Sequence, residues 1–301
     1  MNRHAYLIMA FNHFDLLKKL IILLDDKRND IFIHVDIKSE DFDESYFKNV
    51  TKYSNVYFIK RKAVFWADYS MIDVELDLLT NACKSDKYKY YHLISGCDLP
   101  LKTQNEIHEF MDGNDYEYLG IYPKEVWYSV RRVKFYHNFT HLKSYRKNKF
   151  LKGIDLGIEY LQKFTGVNRL KNKNIKIIDG YQWFSITDDF ARHLIEKRDF
   201  IEETFRKTIA PDELVVHTMC YNSKFFDRVY NTETKQKGSL RHIDFNRGKP
   251  YVFRKDDFDE LINKSGEAIF ARKFDPDVDE EIIDEIFNYI NSKQKDEEEL
   301  V

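Results

Sequence analysis

The sequence predicts an α/β fold with a mostly parallel central sheet flanked by helices, and three observations carry that prediction. Short apolar runs of strand length alternate with segments of helical apolar spacing over residues 1–121, the pattern of successive βαβ units. No internal repeat or low-complexity linker interrupts the 301 residues, so residues 1–301 read as one domain. Hydrophobic residues make up 43% of the chain, enough for a sizeable core.

Residues 5–10 read as a first buried strand. Asn12, His13, Phe14 and Asp15 then start a helix whose apolar positions are Leu16, Leu17, Leu20, Ile21 and Leu24. Residues 30–36 form a second strand that ends in Asp36, and residues 55–59 a third. A helix over 70–83 carries Ile72, Val74, Leu76, Leu78 and Leu79. A strand at 90–94, a short helix at 105–111 and a strand at 116–121 follow. The stretch 126–154 breaks the pattern: it holds eight Lys or Arg and no acid, with Tyr128, Phe135, Tyr136, Phe139 and Tyr145 interleaved. Strand character returns over 175–187, in Ile175 to Ile178 and Trp183 to Thr187. Helices are expected near 188–197, 211–221 and 279–293, and the charged tail 295–301 is expected to fray.

Composition removes several function classes. A net charge of −3 gives no global attraction for polyanions. Three cysteines, Cys83, Cys97 and Cys220, are an odd number without metal-ligand spacing. They point to a reducing compartment and away from a disulfide scaffold or structural zinc. No apolar run reaches membrane-spanning length, and the one near the N-terminus is too short for a signal peptide, so a cytoplasmic location is expected. A P-loop, a Gly-x-Gly-x-x-Gly, a nucleophile elbow and a His-Glu-x-x-His are all absent. Aromatic residues at 16% suit stacking-rich ligand sites, and equally an aromatic core.

Five sites along the chain could carry chemistry. The strand at 90–94 runs into a Ser95-Gly96 turn that delivers Asp98, with Leu99-Pro100 stiffening the exit. That is where α/β sheets place ligands, at the carboxyl end of a strand, although Asp is also an ordinary turn former. Pro211 suits the first position of a helix, which places Asp212 and Glu213 in its first turn. The helix dipole favours an ionised carboxylate there, the form a general base needs; ordinary helix starts look the same. Arg272 and Lys273 offer a planar fork of donors beside a compact charge, a pair suited to a diphosphate or to a solvated surface. Arg241 is a further candidate. Tyr181, Gln182, Trp183 and Phe184 group aromatic faces around one amide, which suits a sugar ring and also suits a core.

In this order, with His34-Val-Asp36, Trp66-Ala-Asp-Tyr-Ser70, Leu93 to Lys102, Gly180 to Thr187, Pro211-Asp-Glu213, Arg241-His-Ile-Asp244 and Phe270 to Asp275, the chain resembles the core-2/I-branching β-1,6-N-acetylglucosaminyltransferase and peptide-O-xylosyltransferase family. The resemblance implies a GT-A-type glycosyltransferase fold. It implies transfer of a sugar from a UDP-sugar to an acceptor hydroxyl with inversion. It divides the chain into a nucleotide-sugar-binding half, 1–125, and an acceptor and catalytic half, 126–294. Glu213 matches the catalytic base. Lys273, with Arg272, matches the basic positions that hold the UDP diphosphate, and Arg241 a further diphosphate contact. Asp36 matches a position facing the uridine. Asp98 and Trp66 are placed along the donor sugar, with Gln182 and Trp183 as sugar contacts.

Most members of this fold hold a divalent metal with an Asp-x-Asp after a strand. Here Gly96 stands where the partner of Asp98 would be, and Asp41-Phe-Asp43, Asp275-Pro-Asp277 and Asp277-Val-Asp279 have the spacing in other places. No metal cofactor is therefore expected, with Lys273, Arg272 and Arg241 in its stead. The expected donor is UDP-N-acetylglucosamine, with UDP-xylose and UDP-glucose as alternatives. The expected acceptor is a glycan or lipid-linked glycan in surface polysaccharide synthesis, with peripheral contact to the inner membrane face through 126–154. A non-catalytic basic and aromatic binding module is the alternative from another class, but no nucleic-acid motif supports it.

Overall fold

The computed structural model describes residues 2–142, 145 and 147–299. Lys143 and Arg146 of the basic stretch and residues 300–301 of the tail lie outside the described residues. The strands are β1 (His4–Ala10), β2 (Asn29–Val35), β3 (Asn55–Phe58), β4 (Tyr90–Ser95), β5 (Asp98–Pro100), β6 (Tyr118–Tyr122), β7 (Asp179–Thr187), β8 (Arg241–Ile243) and β9 (Phe270–Arg272). The helices are α1 (Phe14–Leu23), α2 (Ser70–Ser85), α3 (Gln104–Met111), α4 (Trp127–Lys134), α5 (Lys149–Phe164), α6 (Asp188–Glu196), α7 (Arg198–Phe205), α8 (Val215–Tyr221), α9 (Lys235–Ser239), α10 (Phe258–Lys264) and α11 (Glu281–Glu299).

The α/β layout expected from the sequence is the one observed. A six-stranded sheet has the order β3-β2-β1-β4-β7-β6. The first three pairings are parallel, and β7 runs antiparallel to both of its neighbours. Strands buried on both faces read as continuous apolar runs, and β1, β2 and β4 are buried at every position. Their side chains still alternate: Ala5, Leu7 and Met9 join a cluster with Leu78, Leu79 and Phe184, while Tyr6, Ile8 and Ala10 join one with Leu17, Ile21 and Ile283. The sheet therefore separates two apolar layers, α2 and α6 on one side and α1 and α11 on the other.

Four local differences from expectation have physical causes. Residues 175–178 are not a strand; Ile177 and Ile178 are buried, but their amides donate to Glu125 Oε1 (2.8 Å) and Thr218 Oγ1 (3.1 Å). The helix expected over 211–221 is a 3₁₀ turn, Pro211–Glu213, followed by α8. The tail does not fray within the described residues. It is helical to Glu299, because Glu297 accepts from Thr103 Oγ1 (2.9 Å) and Asn105 Nδ2 (3.0 Å). A second sheet, β5-β9-β8, was not foreseen, since three-residue strands carry no readable period.

Candidate active site

The carboxyl ends of β1, β2 and β4 meet at one edge of the sheet. The Asp36 amide donates to Ala10 O (3.0 Å) and the Gly96 amide to Met9 O (2.9 Å). Glycine follows β4 for a steric reason: a Cβ at Gly96 would lie 3.1 Å from Ala10 Cβ. Asp36 is buried, and its carboxylate accepts from the Lys38 amide (2.9 Å), Lys38 Nζ (2.5 Å) and the Val64 amide (3.3 Å). It thereby ties the end of β2 to the loop that leads to Trp66. Asp98 opens β5 directly opposite Arg272 of β9. Its Oδ2 accepts from the Ser95 amide (3.0 Å), and its Oδ1 stands 3.4 Å from Arg272 Nε. Burial raises the Asp98 carboxyl above the usual range, and the Arg272 charge opposes that rise. The Arg272 guanidinium stacks on Trp183, 4.2 Å from the ring centroid. Lys273 follows, its side chain one-third exposed.

The expected base sits on a turn built for rigidity. Ala210 is left-handed (φ 47°), and its amide donates to Ala67 O (2.8 Å), so the turn carrying Glu213 is bonded to the loop carrying Trp66. Trp66 itself is 55% exposed. Arg132 of α4 is buried. It donates from Nε to Ile209 O (2.8 Å) and also to Ala210 O, and its Nη1 meets Glu213 Oε2 at 2.9 Å. The Glu213 side chain stays half exposed. Beneath it, burial and the neighbouring Glu213 charge push the Asp212 carboxyl up to about 7. Glu75 of α2 is fully enclosed and held well above the usual range by burial, and its Oε1 accepts from Gln182 Nε2 (2.8 Å).

Contacts around β7 therefore group the predicted residues. Asp98 faces Arg272, and Arg272 covers Trp183; next to Trp183, Gln182 holds Glu75 of α2, and the Pro211–Glu213 turn packs against both β7 and α2. Arg241 differs from expectation. It is 1% exposed and donates to Ser239 O (2.7 Å), Phe184 O (2.7 Å) and Ser185 Oγ (3.0 Å), its Nε is left without a hydrogen-bond partner among the described residues, and its guanidinium covers Phe270. Burial pulls it down to about 9. It braces β7 and β8 from inside, enclosed away from the surface. Asp275 also differs from expectation, since it lies beside the site and not away from it: Oδ2 is 3.9 Å from Lys273 Nζ and Oδ1 is 3.4 Å from His13 Nε2. His13, Asp275 and Asp277 could present three ligand atoms within 4.8 Å of one another. Two cavities, of about 450 and about 310 Å³, are lined by none of the predicted residues.

Comparison with known proteins fixes the family. The profile described as "Core-2/I-Branching enzyme" matches residues 4–261. The chain belongs to the core-2/I-branching enzyme family. Rat xylosyltransferase 1 is 22% identical over 297 residues, covering 91% of this chain and 34% of that protein. A human β-1,3-galactosyl-O-glycosyl-glycoprotein β-1,6-N-acetylglucosaminyltransferase is 24% identical over 311 residues, covering 91% and 66%. The chain thus spans about a third of the length of the xylosyltransferase relatives. Among solved structures, apo mouse xyloside xylosyltransferase 1 aligns over 90% of this chain and 97% of its own, with 10% identity and a TM-score of 0.40. That likeness is too distant to bear on the site.

For this core-2/I-branching chain, sequence reasoning passed over Arg132, Asp212 and Glu75 as site residues. Glu75 had a readable signal, because it interrupts the buried stripe Ile72, Leu76, Leu79 of α2 with an acid. Arg132 had none, since it lies among eight cations and only the fold selects the one that meets Glu213.

Proposed function

We propose that the chain is an inverting glycosyltransferase that moves N-acetylglucosamine from a UDP-sugar to a hydroxyl of a glycan or lipid-linked glycan acceptor. The observation that carries this reading is that one strand, β7, serves both ends of the site: its Trp183 lies under Arg272, the neighbour of Lys273, and the turn carrying Glu213 packs against it. The acceptor oxygen attacks the anomeric carbon as Glu213 takes its proton. The sugar–phosphate bond breaks in the same step, and the electron pair leaves with UDP. Arg272 and Lys273 stabilise the charge that builds on the departing diphosphate. Arg132 fixes one carboxylate oxygen of Glu213 and leaves the other for the acceptor proton. Trp66, Gln182 and Trp183 border the sugars, Asp98 acts from behind them by facing Arg272, and Asp36 faces the uridine. Arg241 acts only as a brace.

The setting is surface polysaccharide assembly at the cytoplasmic membrane face, with peripheral contact through 126–154. Three free cysteines, two of them buried, suit a reducing compartment. Among the described residues no helix is long and apolar enough to cross a membrane. A second donor, UDP-xylose, is favoured by the names of the xylosyltransferase relatives.

A screen of UDP release across nucleotide sugars tests the donor, and Glu213→Gln tests the base. The variant should lose transfer by about a hundredfold or more while its UDP affinity holds; transfer within about threefold of the wild type would overturn the assignment. The reading also holds that the reaction proceeds in excess EDTA. Loss of transfer that Mn²⁺ or Mg²⁺ restores would instead put a cation in the reaction, with His13, Asp275 and Asp277 as the ligand set to mutate first.

A further inference from the structure

Helix α5 is inside out. Its most deeply buried residues, with Leu151 and Ile158 half-buried beside them, are polar: Asp155, Glu159 and Gln162. Each is spoken for. Asp155 Oδ2 receives Tyr145 Oη (2.9 Å) and lies 2.8 Å from His137 Nδ1. Glu159 Oε2 accepts from Arg131 Nη2 (2.8 Å). Gln162 exchanges two hydrogen bonds with the Tyr136 backbone (2.8 and 2.9 Å). The outward face is apolar, with Phe150 75% exposed, Tyr160 66%, Leu161 61% and Phe164 91%. Spacing at 150, 157 and 164 places Phe150 and Phe164 on one line along the helix, with Gly157 between them. Trp127 and Tyr128 of α4 are exposed as well. A water-facing helix has the opposite arrangement.

The exposed charge of the segment itself has one sign. Residues 126–178 contain thirteen Lys or Arg and two acids, and both acids, Asp155 and Glu159, point inward. Lys147, Lys149, Lys152 and Lys163 are exposed beside the apolar face. Bulky apolar groups for the acyl boundary, Trp and Tyr for the headgroup level, and lysines around them are the composition of a helix that lies in a membrane surface. A segment whose own exposed charges are cationic complements anionic lipid.

We propose that α5, with Trp127 and Tyr128, lies in the interfacial plane of an anionic bilayer and holds the chain there. This deepens the membrane contact named above: it assigns the contact to the outward face of 149–164 and gives its mode, insertion of an apolar helix face and not charge attraction alone. The same region reaches the base. Arg131 pairs with Glu159 of α5, and the next residue, Arg132, holds Glu213.

The test is flotation of the full chain with phosphatidylcholine vesicles and with vesicles containing about one quarter phosphatidylglycerol, at low and high salt. The wild type should bind the anionic vesicles, bind neutral ones at least tenfold more weakly, and keep part of its binding at high salt. Phe150→Ser/Tyr160→Ser/Phe164→Ser should weaken anionic-vesicle binding at least tenfold. A second variant, Lys149→Gln/Lys152→Gln/Lys163→Gln, keeps the apolar face and should bind more weakly with a shallower salt dependence. Brominated lipid should quench wild-type fluorescence more than that of Trp127→Phe, which needs no loss of binding to be read. Failure of the wild type to float with anionic vesicles overturns the proposal. So does a wild-type dimer that the triple serine variant converts to monomers in the absence of vesicle binding, since the face would then cover a second copy. Glu213→Gln should float like the wild type, so vesicle binding and the transfer reading fail separately.

Discussion

In β1, Tyr6, Leu7 and Ile8 are wholly enclosed, and the polar rings packed near them are kept neutral: burial holds His4 and His92 well below the usual imidazole range. In α5, Phe150 and Phe164 stand in the open while the carboxylates Asp155 and Glu159 are turned inward onto partners. Both segments are rich in aromatic and apolar residues. The difference is what the fold asks of them. Around the sheet, apolar area is spent on holding strands together, and charge is suppressed or boxed in. At α5, polar contacts hold the helix to the body, and apolar area is left over. A segment attached by hydrogen bonds and ion pairs can present its apolar face outward because its own anchorage does not depend on it.

Three substitutions sharpen the contrast, and the largest effect belongs to the sheet. Arg241→Met should cost about 3–5 kcal/mol in chemical denaturation, since the Ser239 and Phe184 carbonyls lose a charged donor and buried Asp98 loses a neighbouring cation. The folded variant should keep its UDP affinity; a stability within about 1 kcal/mol of the wild type, with donor binding lost, would return Arg241 to the diphosphate.

Asp212→Asn should give an intermediate effect with a definite sign. The folded carboxyl titrates near 7, well above its ordinary value of 3.8. Between those values the native state binds a proton that the unfolded chain releases. The stability this supplies is fully present below about 4 and is lost as pH rises through 7. Asparagine cannot ionise, so the variant should gain on the wild type as pH rises from 5 to 7, by up to about 1.4 kcal/mol per pH unit, and the gap should level off above 7. A gap that does not change with pH would place the Asp212 titration elsewhere.

The smallest effect is expected at α5. Phe164→Ser should shift stability by no more than about 0.5 kcal/mol, because a ring that is 91% exposed gives up little on truncation. A loss above 1.5 kcal/mol would mean that the ring supports the fold, and the contrast with β1 would dissolve.

Legibility in the sequence followed the same divide. β1, β2 and β4 were readable because an enclosed parallel strand must be apolar at nearly every position. α1 and α2 were readable from their buried stripes. The small sheet was not, since its strands are too short for a pattern and pair residues far apart in the chain. α7 was missed as well, because it begins directly where α6 ends and no breaker marks the junction. At the site, the Pro211-Asp212-Glu213 turn and the Arg272–Lys273 pair could be picked out by residue type. Arg241 could not be sorted by type, since a guanidinium facing a ligand and one consumed by backbone carbonyls are spelled alike. Nor could α5 be recognised as inverted: its periodicity gives a stripe of apolar residues, but which side that stripe faces is decided by the partners of Asp155, Glu159 and Gln162.

The pairing of β5 with β9 also sets an order of assembly. Asp98 and Arg272 are register partners, so one wall of the site is supplied early in the chain and the other near its end. Translation delivers β1 through β4 first, and they can pair through short crossovers while the rest is still being made. The cations that would hold a diphosphate emerge only after residue 270. A chain caught part-way through synthesis, or clipped before that point, would own most of its sheet and lack the pair proposed to grip the donor. If Arg272 and Lys273 hold the donor as proposed, competence for it waits until the strand carrying them pairs with β5.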